Sequence, residues 1–322
     1  MSIVYFRISA RAAQAPERAP LLERLLARAA LPRRVADWRA EAFRALAPQA
    51  THAPAVASAA ARGAAPALER SSARWAMLAT PLHLSAGLRD LQLGSDGILS
   101  LEAEEAAALA TDFNAVFAGG GVELARGRAT SLLCLFDAPL EVITTDPEQL
   151  IGADIFAARA RGADAARLKR LASELEMWLH DHAVNARRRA RQAPVISSLW
   201  LWGGGSLDAA WPPVEGWTAG RDPLFAAFPQ ESRYPSAARG ARARPGVVVI
   251  AAEPGTACWQ SVEERFVAPA VADLKARRLS GIELSAGDRA FRLSARGLRR
   301  FWRSARPWWE TIGESRGASD SR

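Results

Sequence analysis

Histidine, the side chain most often used for acid–base chemistry and metal binding near neutral pH, is rare in this chain. The four histidines are His52, His83, His180 and His182, and the last two stand two residues apart. On a strand that spacing would place both rings on one face, where they could share a metal ion, whereas on a helix the rings would lie well apart. No third ligand is clustered near them. We therefore expect both to be structural, capping the C-terminus of a helix or hydrogen-bonding across a domain junction, and we expect no metal site.

A run of three glycines at 203–205 is the next feature that could do chemistry, because backbone N–H groups in such a run can hold a phosphate. The run lacks the GxxxxGK[ST] pattern of nucleotide-binding loops, and no lysine is near it. A tight turn is therefore predicted at Gly203 and Gly205. Just upstream, Trp200 and Trp202 alternate with leucines, which predicts a strand buried in the core.

Two segments together combine arginines with aromatic residues. They are the basic run 187–191 and the segment from Arg299 to Trp309, which contains Trp302. Single-strand binders interleave cations and aromatics in this way, but a solvated helix face and a terminal helix packed through its tryptophans are the simpler explanation. The net charge of +8 also suits a polyanion partner. All but two of the 42 basic residues are arginine, which is typical of GC-rich coding as much as of nucleic-acid binding.

Other reaction classes have no motif in the sequence. It contains no GxSxG elbow and no HExxH pair. Cys134 lies in an apolar run and Cys258 is far from it, so neither a disulfide framework nor a zinc site is expected. The first apolar residues are cut short by Arg7, and no apolar stretch is long enough to span a bilayer. We expect a cytoplasmic protein without a membrane segment.

The element that must position the two histidines is the helix directly before them. Leu168, Leu171, Leu175 and Leu179 recur at steps of three and four, which predicts an amphipathic helix that begins near Asp164. It is the strongest helical pattern in the chain.

Strands and helices alternate near both ends of the chain. Residues 2–9 predict a strand, 247–251 predict a parallel strand covered on both faces, and a last helix is predicted from 298. A separate α+β pattern lies between them. The sequence therefore predicts an α/β core interrupted by an inserted α+β domain. The predicted limits are 1–73 and 196–322 for the discontinuous core and 74–195 for the insertion, with 50–67 and 314–322 flexible.

Two segments carry a family resemblance. HAVNARR at 182–188 and SLWLWGGG at 198–205 resemble the HPVNxxR and ANxIWLWGQG stretches of the archaeal-type cofactor-independent phosphoglycerate mutases. Within that superfamily the wording is more similar to the bacterial RpfE-type regulatory proteins, which also share an FWR near the C-terminus, here 301–303. The match covers roughly 74–205, and it departs from the pattern at Ala183, which stands where the family has proline. The resemblance implies a reduced alkaline-phosphatase-like core.

The resemblance also implies chemistry that this sequence lacks. The mutases use two divalent metals, held by Asp and His ligands, to activate a serine. Here the first strand ends in Arg7-Ile8-Ser9 without an Asp-Gly, and no histidine follows His182. The substrate-gripping FRCNF and DRRAGR segments correspond to WAMLA at 75–79 and LGSDG at 93–97. We therefore expect no catalytic residue, no metal and no cofactor.

The sequence as a whole predicts a non-catalytic, degenerate phosphoglycerate-mutase-like regulatory or binding protein. Its partner would be another protein or a small anionic ligand, bound where the insertion joins the core. The alternatives are an active phosphotransferase with unrecognised ligands and a single-stranded nucleic-acid accessory factor. The residues predicted to line the site are His180, His182, Asn185, Arg188, Trp202, Gly203 and Gly205.

Overall fold

The computed structural model describes residues 2–9, 17–50, 53–62, 71–87, 91–127, 131–209, 211–238, 240–250 and 259–313. His52, Cys258, the predicted flexible tail 314–322 and part of the predicted flexible segment 50–67 lie outside these ranges.

The described chain is mixed α/β, which confirms the fold class. The strands are β1 (Ile3–Ile8), β2 (Arg33–Arg34), β3 (Trp75–Ala86), β4 (Leu91–Ile98), β5 (Val122–Arg126), β6 (Leu132–Phe136), β7 (Ser198–Ser206), β8 (Trp217–Ala219), β9 (Gly246–Ile250), β10 (Gly281–Ala286) and β11 (Arg289–Leu293). The helices are α1 (Pro20–Arg28), α2 (Trp38–Leu46), α3 (Val56–Arg62), α4 (Ala103–Val116), α5 (Ala165–His180), α6 (Ala183–Ala190), α7 (Trp259–Val262), α8 (Ala268–Lys275) and α9 (Trp308–Gly313).

The chain divides into two compact units. Unit 1 comprises Met1–Ala53 and Pro212–Arg322, and unit 2 comprises Pro54–Trp211. The limits that the sequence predicts for the inserted domain, 74 and 195, both fall inside unit 2.

Unit 1 is built on a sheet with the strand order β2-β11-β10-β1-β9-β8. Strands β8, β9, β1 and β10 run parallel to one another, β11 pairs antiparallel with β10, and β2 pairs antiparallel with β11 at the edge of the sheet. Val4, Phe6 and Ile8 of β1 point into one large hydrophobic cluster. All of β9 is buried, as the apolar run at 247–251 predicts for a covered parallel strand.

The C-terminal part of unit 1 differs from the prediction of a helix starting at 298. Only a short 3-10 turn, Gly297–Arg299, forms there, and α9 begins at Trp308. Pro307 explains the late start, because proline suits the beginning of a helix and disfavours helical backbone in the residue before it. Trp308 is fully buried, and its Nε1 donates to the Glu17 carbonyl at 2.9 Å.

Unit 2 contains an antiparallel sheet with the order β4-β3-β6-β5, in which β7 also pairs with β3. Helices α4 and α5 pack on one face. Cys134 of β6 is buried among them as a free thiol. The four leucines of α5 are buried on this side, which confirms the helix predicted from their spacing.

The second face of the unit 2 sheet is covered by α3, which lies within the segment 50–67 that the sequence predicts to be flexible. Ala57, Ala60 and Ala61 pack against Leu78 and Trp202 with almost no exposure. Alanine loses no side-chain entropy in a helix and lets it approach a sheet closely, so an alanine-rich segment forms a thin covering layer here.

Candidate functional site

His182 is the N-cap of α6. Its side-chain Nδ1 accepts a hydrogen bond from the Val184 N–H at 3.1 Å. On the other side of the ring, Nε2 lies 3.1 Å from Oδ2 of Asp112, and the Trp178 ring packs edge-on at 4.5 Å. Burial lowers the pKa of His182, and Asp112 opposes that shift. The neutral imidazole, with a free lone pair on Nδ1, is the form that makes the cap.

Asn185 joins the end of α5 to the segment before β7. Its Nδ2 donates to the carbonyls of Leu179 and Ile196, at 2.8 and 2.9 Å, and its Oδ1 accepts from the Ile196 N–H at 2.8 Å. The side chain is buried. A buried amide that completes three hydrogen bonds with the backbone fixes the course of the chain.

Arg188 fastens α6 to the start of α4. Its Nε and Nη2 donate to the two carboxylate oxygens of Glu105 at 2.8 and 2.6 Å, and both side chains are buried. The same guanidinium also donates to the carbonyls of Pro194 and Ser100 at 3.0 and 2.9 Å. Burial alone would raise the pKa of Glu105, but hydrogen bonds from Arg188 and from the Glu102 N–H outweigh it and lower that pKa.

His180 lies apart from this cluster. Its side chain is 78% exposed, and its Nε2 is 3.9 Å from the Asp181 carboxylate. It is the last residue of α5.

The glycine run is part of strand β7, so the predicted tight turn is wrong. Trp202 is buried, and its Nε1 donates to the Thr80 hydroxyl at 2.7 Å. A Cβ on Gly205 would lie 2.2 Å from Cβ of Ala55 and 2.5 Å from Oγ of Ser58. Gly203 has a φ of 67° at a shift in the pairing between β7 and β3. The glycines therefore serve close helix–sheet packing, which sequence spacing alone does not reveal.

The seven predicted residues thus occupy different places in unit 2. His182, Asn185 and Arg188 form one buried polar group, which we call the α6 cluster. Trp202, Gly203 and Gly205 pack against α3 on the other face of the sheet. Most of their polar atoms are engaged in contacts within the unit, and a role in ligand binding stays a prediction.

A cavity of about 400 Å³ lies beside α5 and is a better candidate for a ligand site. It is an open cavity bordered by α5, the start of β7 and the 3-10 turn Ile155–Ala158. Apolar side chains form most of its wall, among them Leu91, Ile155, Phe156, Leu168, Leu199 and Trp200. The polar side chains that reach it are Thr144, Arg159, Lys169, Ser173, Glu176 and Ser198.

The polar side chains of the cavity form a small, net positive group. Lys169, Ser173 and Glu176 stand at helical steps of four and three along one stripe of α5. Partial burial raises the pKa of Glu176, while Arg159 and a hydrogen bond from Ser198 act in the opposite direction. The Arg159 guanidinium lies 4.7 Å from the centre of the Phe156 ring. Two cations therefore border a largely apolar space together with one carboxylate.

Sequence reasoning missed this cavity. The one signal of it in the sequence is Lys169, which is one of two lysines and lies outside the leucine stripe of α5. Arg159 and Ser198 are far apart along the chain, and only the packing of the 3-10 turn and β7 against α5 brings them together.

Within the ranges that the structure describes, no group of three or more histidine, cysteine, aspartate or glutamate side chains could hold a metal ion. Nor does any helix in those ranges have the length and apolar character needed to cross a membrane.

The fold and the cavity define a mixed α/β protein of two units with a candidate small-molecule site in the second. No protein-family model matches the chain, and no curated protein matches it. Among solved structures, it is similar to a cofactor-independent phosphoglycerate mutase from Thermoplasma acidophilum, with 13% identity and a TM-score of 0.36 over 91% of this chain and 90% of that one. It is also similar to the PH0037 protein of Pyrococcus horikoshii, with 11% identity and a TM-score of 0.40 over 90% and 86%. Both similarities are distant, and neither transfers an activity or a residue role.

Proposed function

We propose that this chain is a non-catalytic, phosphoglycerate-mutase-like binding protein whose ligand is a small organic anion held in the cavity beside α5. The observation that carries the proposal is the pair Arg159 and Lys169 at the border of a largely apolar space of about 400 Å³. The resemblance of 182–188 and 198–205 to RpfE-type proteins supports a regulatory use of that binding.

The size and lining of the cavity support a small-molecule ligand. Pockets for such ligands typically span about 300–1,000 Å³ and combine apolar walls with a few polar groups that fix orientation. Arginine and lysine are the side chains that bind carboxylate and phosphate groups. Ser173 and Ser198 add hydroxyl groups beside them. The ligand that fits this chemistry has one carboxylate or phosphate and an apolar or hydroxylated body.

The non-catalytic part of the proposal rests on the residues at the end of β1. There the mutase resemblance implies an Asp-Gly, and this chain has Arg7, Ile8 and Ser9. Arg7 is buried, donates to the Gly287 carbonyl at 2.8 Å and lies 4.8 Å from the Trp38 ring centre. A cation held in that place would repel a divalent metal rather than help to bind it.

The two lysines provide a matched test of the ligand site. Thermal unfolding of the full chain would be measured with 3-phosphoglycerate, inorganic phosphate and a panel of hydroxy- and alkyl-carboxylates. A ligand at one hundred times its Kd stabilises the folded state by about 2.7 kcal/mol. We expect Lys169→Gln to abolish the shift, whereas Lys275→Gln, at an exposed position of α8 in unit 1, keeps it.

Three results would contradict the proposal. The first is that no anion in the panel shifts the melting temperature. The second is an equal shift in Lys169→Gln and Lys275→Gln, which would place the ligand elsewhere. The third is metal-dependent turnover of a phosphate ester by the purified chain, which would replace the binding role with catalysis.

A further inference from the structure

Two adjacent aromatic side chains of unit 1 are exposed to solvent. Phe301 is 77% and Trp302 69% exposed, and their ring centres are 5.5 Å apart at an angle of 79°. The tryptophan that follows shortly after, Trp308, is fully buried. Packing within the unit therefore accounts for Trp308 and leaves the faces of Phe301 and Trp302 unexplained.

The backbone that carries these rings is held on both sides. Arg300 Nη1 donates to the Ala29 carbonyl at 3.1 Å, and Arg303 Nη1 donates to the same carbonyl at 3.2 Å. Ala29 directly follows the last residue of α1. The two rings thus project from a short segment whose ends are fastened to one point, which lowers the entropy lost when a partner binds them.

The surroundings of the rings are strongly positive. Residues 289–309 contain seven arginines and no aspartate or glutamate. Three exposed arginines precede the rings in the sequence, namely Arg292, Arg296 and Arg299. A row of cations of this kind attracts a polyanion by releasing its counterions.

The exposed aromatic rings distinguish between the polyanions that the arginines could bind, namely a duplex, a single strand and an anionic membrane. A duplex keeps its bases stacked on one another, whereas the bases of a single strand are free to stack on aromatic side chains. An anionic membrane would call for a helix with a broad apolar face, but the described residues just before the rings form only the 3-10 turn Gly297–Arg299. We propose that Phe301, Trp302 and the arginines at 292–303 form a binding surface for single-stranded nucleic acid. The surface is independent of the cavity in unit 2.

Fluorescence anisotropy with a labelled oligothymidylate and the full chain tests this surface. We expect binding that weakens steeply as salt is raised, and a much weaker signal with a duplex of the same length. Phe301→Ala combined with Trp302→Ala should reduce the affinity roughly tenfold or more. Trp302→Phe should retain most of the affinity, because it keeps a stacking face. Arg299→Gln should lower the slope of log K against log salt by about 0.7, the value for one phosphate contact on a single strand.

Matched controls separate the surface from general charge and hydrophobicity. Ile143→Ala and Met177→Ala remove equally exposed apolar side chains of unit 2, 74% and 68% exposed, and should leave the affinity unchanged. Arg170→Gln, at an exposed position of α5, removes the same charge as Arg299→Gln and should leave the salt slope unchanged. Circular dichroism would verify that each variant is folded.

Four results would overturn the proposal. They are the absence of salt-sensitive binding to the single strand, equal affinity for duplex, equal losses in the control variants, and binding of anionic vesicles without binding of the oligonucleotide. The last result would assign the surface to a membrane. Loss of anion binding at Lys169 would leave this proposal untouched, because the two tests use different variants and different ligands.

Discussion

The α6 cluster and the cavity beside α5 lie on consecutive helices of unit 2, but their charged side chains differ in burial and in pairing. In the cluster, Arg188 and Glu105 are both buried and meet each other through two short hydrogen bonds. In the cavity, Arg159 and Lys169 remain exposed. A buried charge must be paired to be tolerated, whereas an exposed charge in a concave wall costs little to keep and stays free to meet a ligand. Of the two segments that resemble the mutase motifs, 182–188 supplies the cluster, whereas 198–205 supplies Ser198, Leu199 and Trp200 to the wall of the cavity.

Removing Arg188 is expected to have the largest effect on stability. Arg188→Ala would leave Glu105 buried without its main partner, and breaking a buried pair in this way typically costs about 3–5 kcal/mol. Urea unfolding of the full chain would show the loss. Arg170→Ala, at an exposed position of α5, should change the free energy of unfolding by less than about 0.5 kcal/mol. If both variants were equally stable, the pair would contribute nothing and the comparison of the two regions would lose its basis.

Removing Asn185 is expected to have the next largest effect. Asn185→Ala leaves the Ile196 N–H and the carbonyls of Leu179 and Ile196 without the partners seen here. An unsatisfied buried polar group costs about 1–3 kcal/mol. Hydrogen exchange would show faster exchange of the Ile196 amide in the variant. Unchanged protection at that amide would mean that another group satisfies it.

Unit 2 also shows which features the sequence could predict and which it could not. The leucine spacing of α5 is a local property, so the helix and its buried stripe follow from the sequence. The glycine run looks like a turn because glycine favours turns, and only the presence of α3 shows that it is a strand packed closely against a helix. The segment 56–62 looks like a loop because alanines give no periodicity, although its helix is buried.

The cavity could not be predicted for a different reason. Its charged residues Arg159, Lys169 and Glu176 lie near one another along the chain, but Ser198 and the apolar wall of β7 come from a distant segment. A concave surface depends on how three elements pack, and no spacing in the sequence encodes that. The residues of 182–188 that carry the motif resemblance make contacts that hold the fold together.

His182 is expected to give a smaller effect that depends on pH. Burial lowers its pKa in the folded state. Below about pH 6.5 the unfolded chain therefore binds a proton that the folded chain does not bind. Stability should therefore fall as the pH falls from about 6.5 toward the native pKa. His182→Asn keeps a side-chain acceptor at the N-cap and removes the titration.

Urea unfolding at about pH 7.5 and about pH 5 measures this linkage. The wild type should lose more stability between these values than His182→Asn. His180→Asn, at the exposed histidine, should behave as the wild type does. His182→Ala should lose about 1 kcal/mol at the higher pH, because the cap is gone. Equal losses of stability in the wild type and His182→Asn would mean that the proton is accepted in the folded state, through Asp112.

Glu176 is expected to give the smallest effect on stability and the sharpest contrast with Arg188. Partial burial raises its pKa, so the folded state disfavours the charged carboxylate. Glu176→Gln removes that charge and should be neutral or slightly stabilising at neutral pH, within about 0.5 kcal/mol. The same change leaves Arg159 and Lys169 without an opposing charge, so the affinity for an organic anion should rise. Calorimetry with an anion that binds the wild type would measure this. A weaker affinity in Glu176→Gln would show that the carboxylate itself contacts the ligand, and the cavity would then favour a hydroxyl or amine donor over an anion.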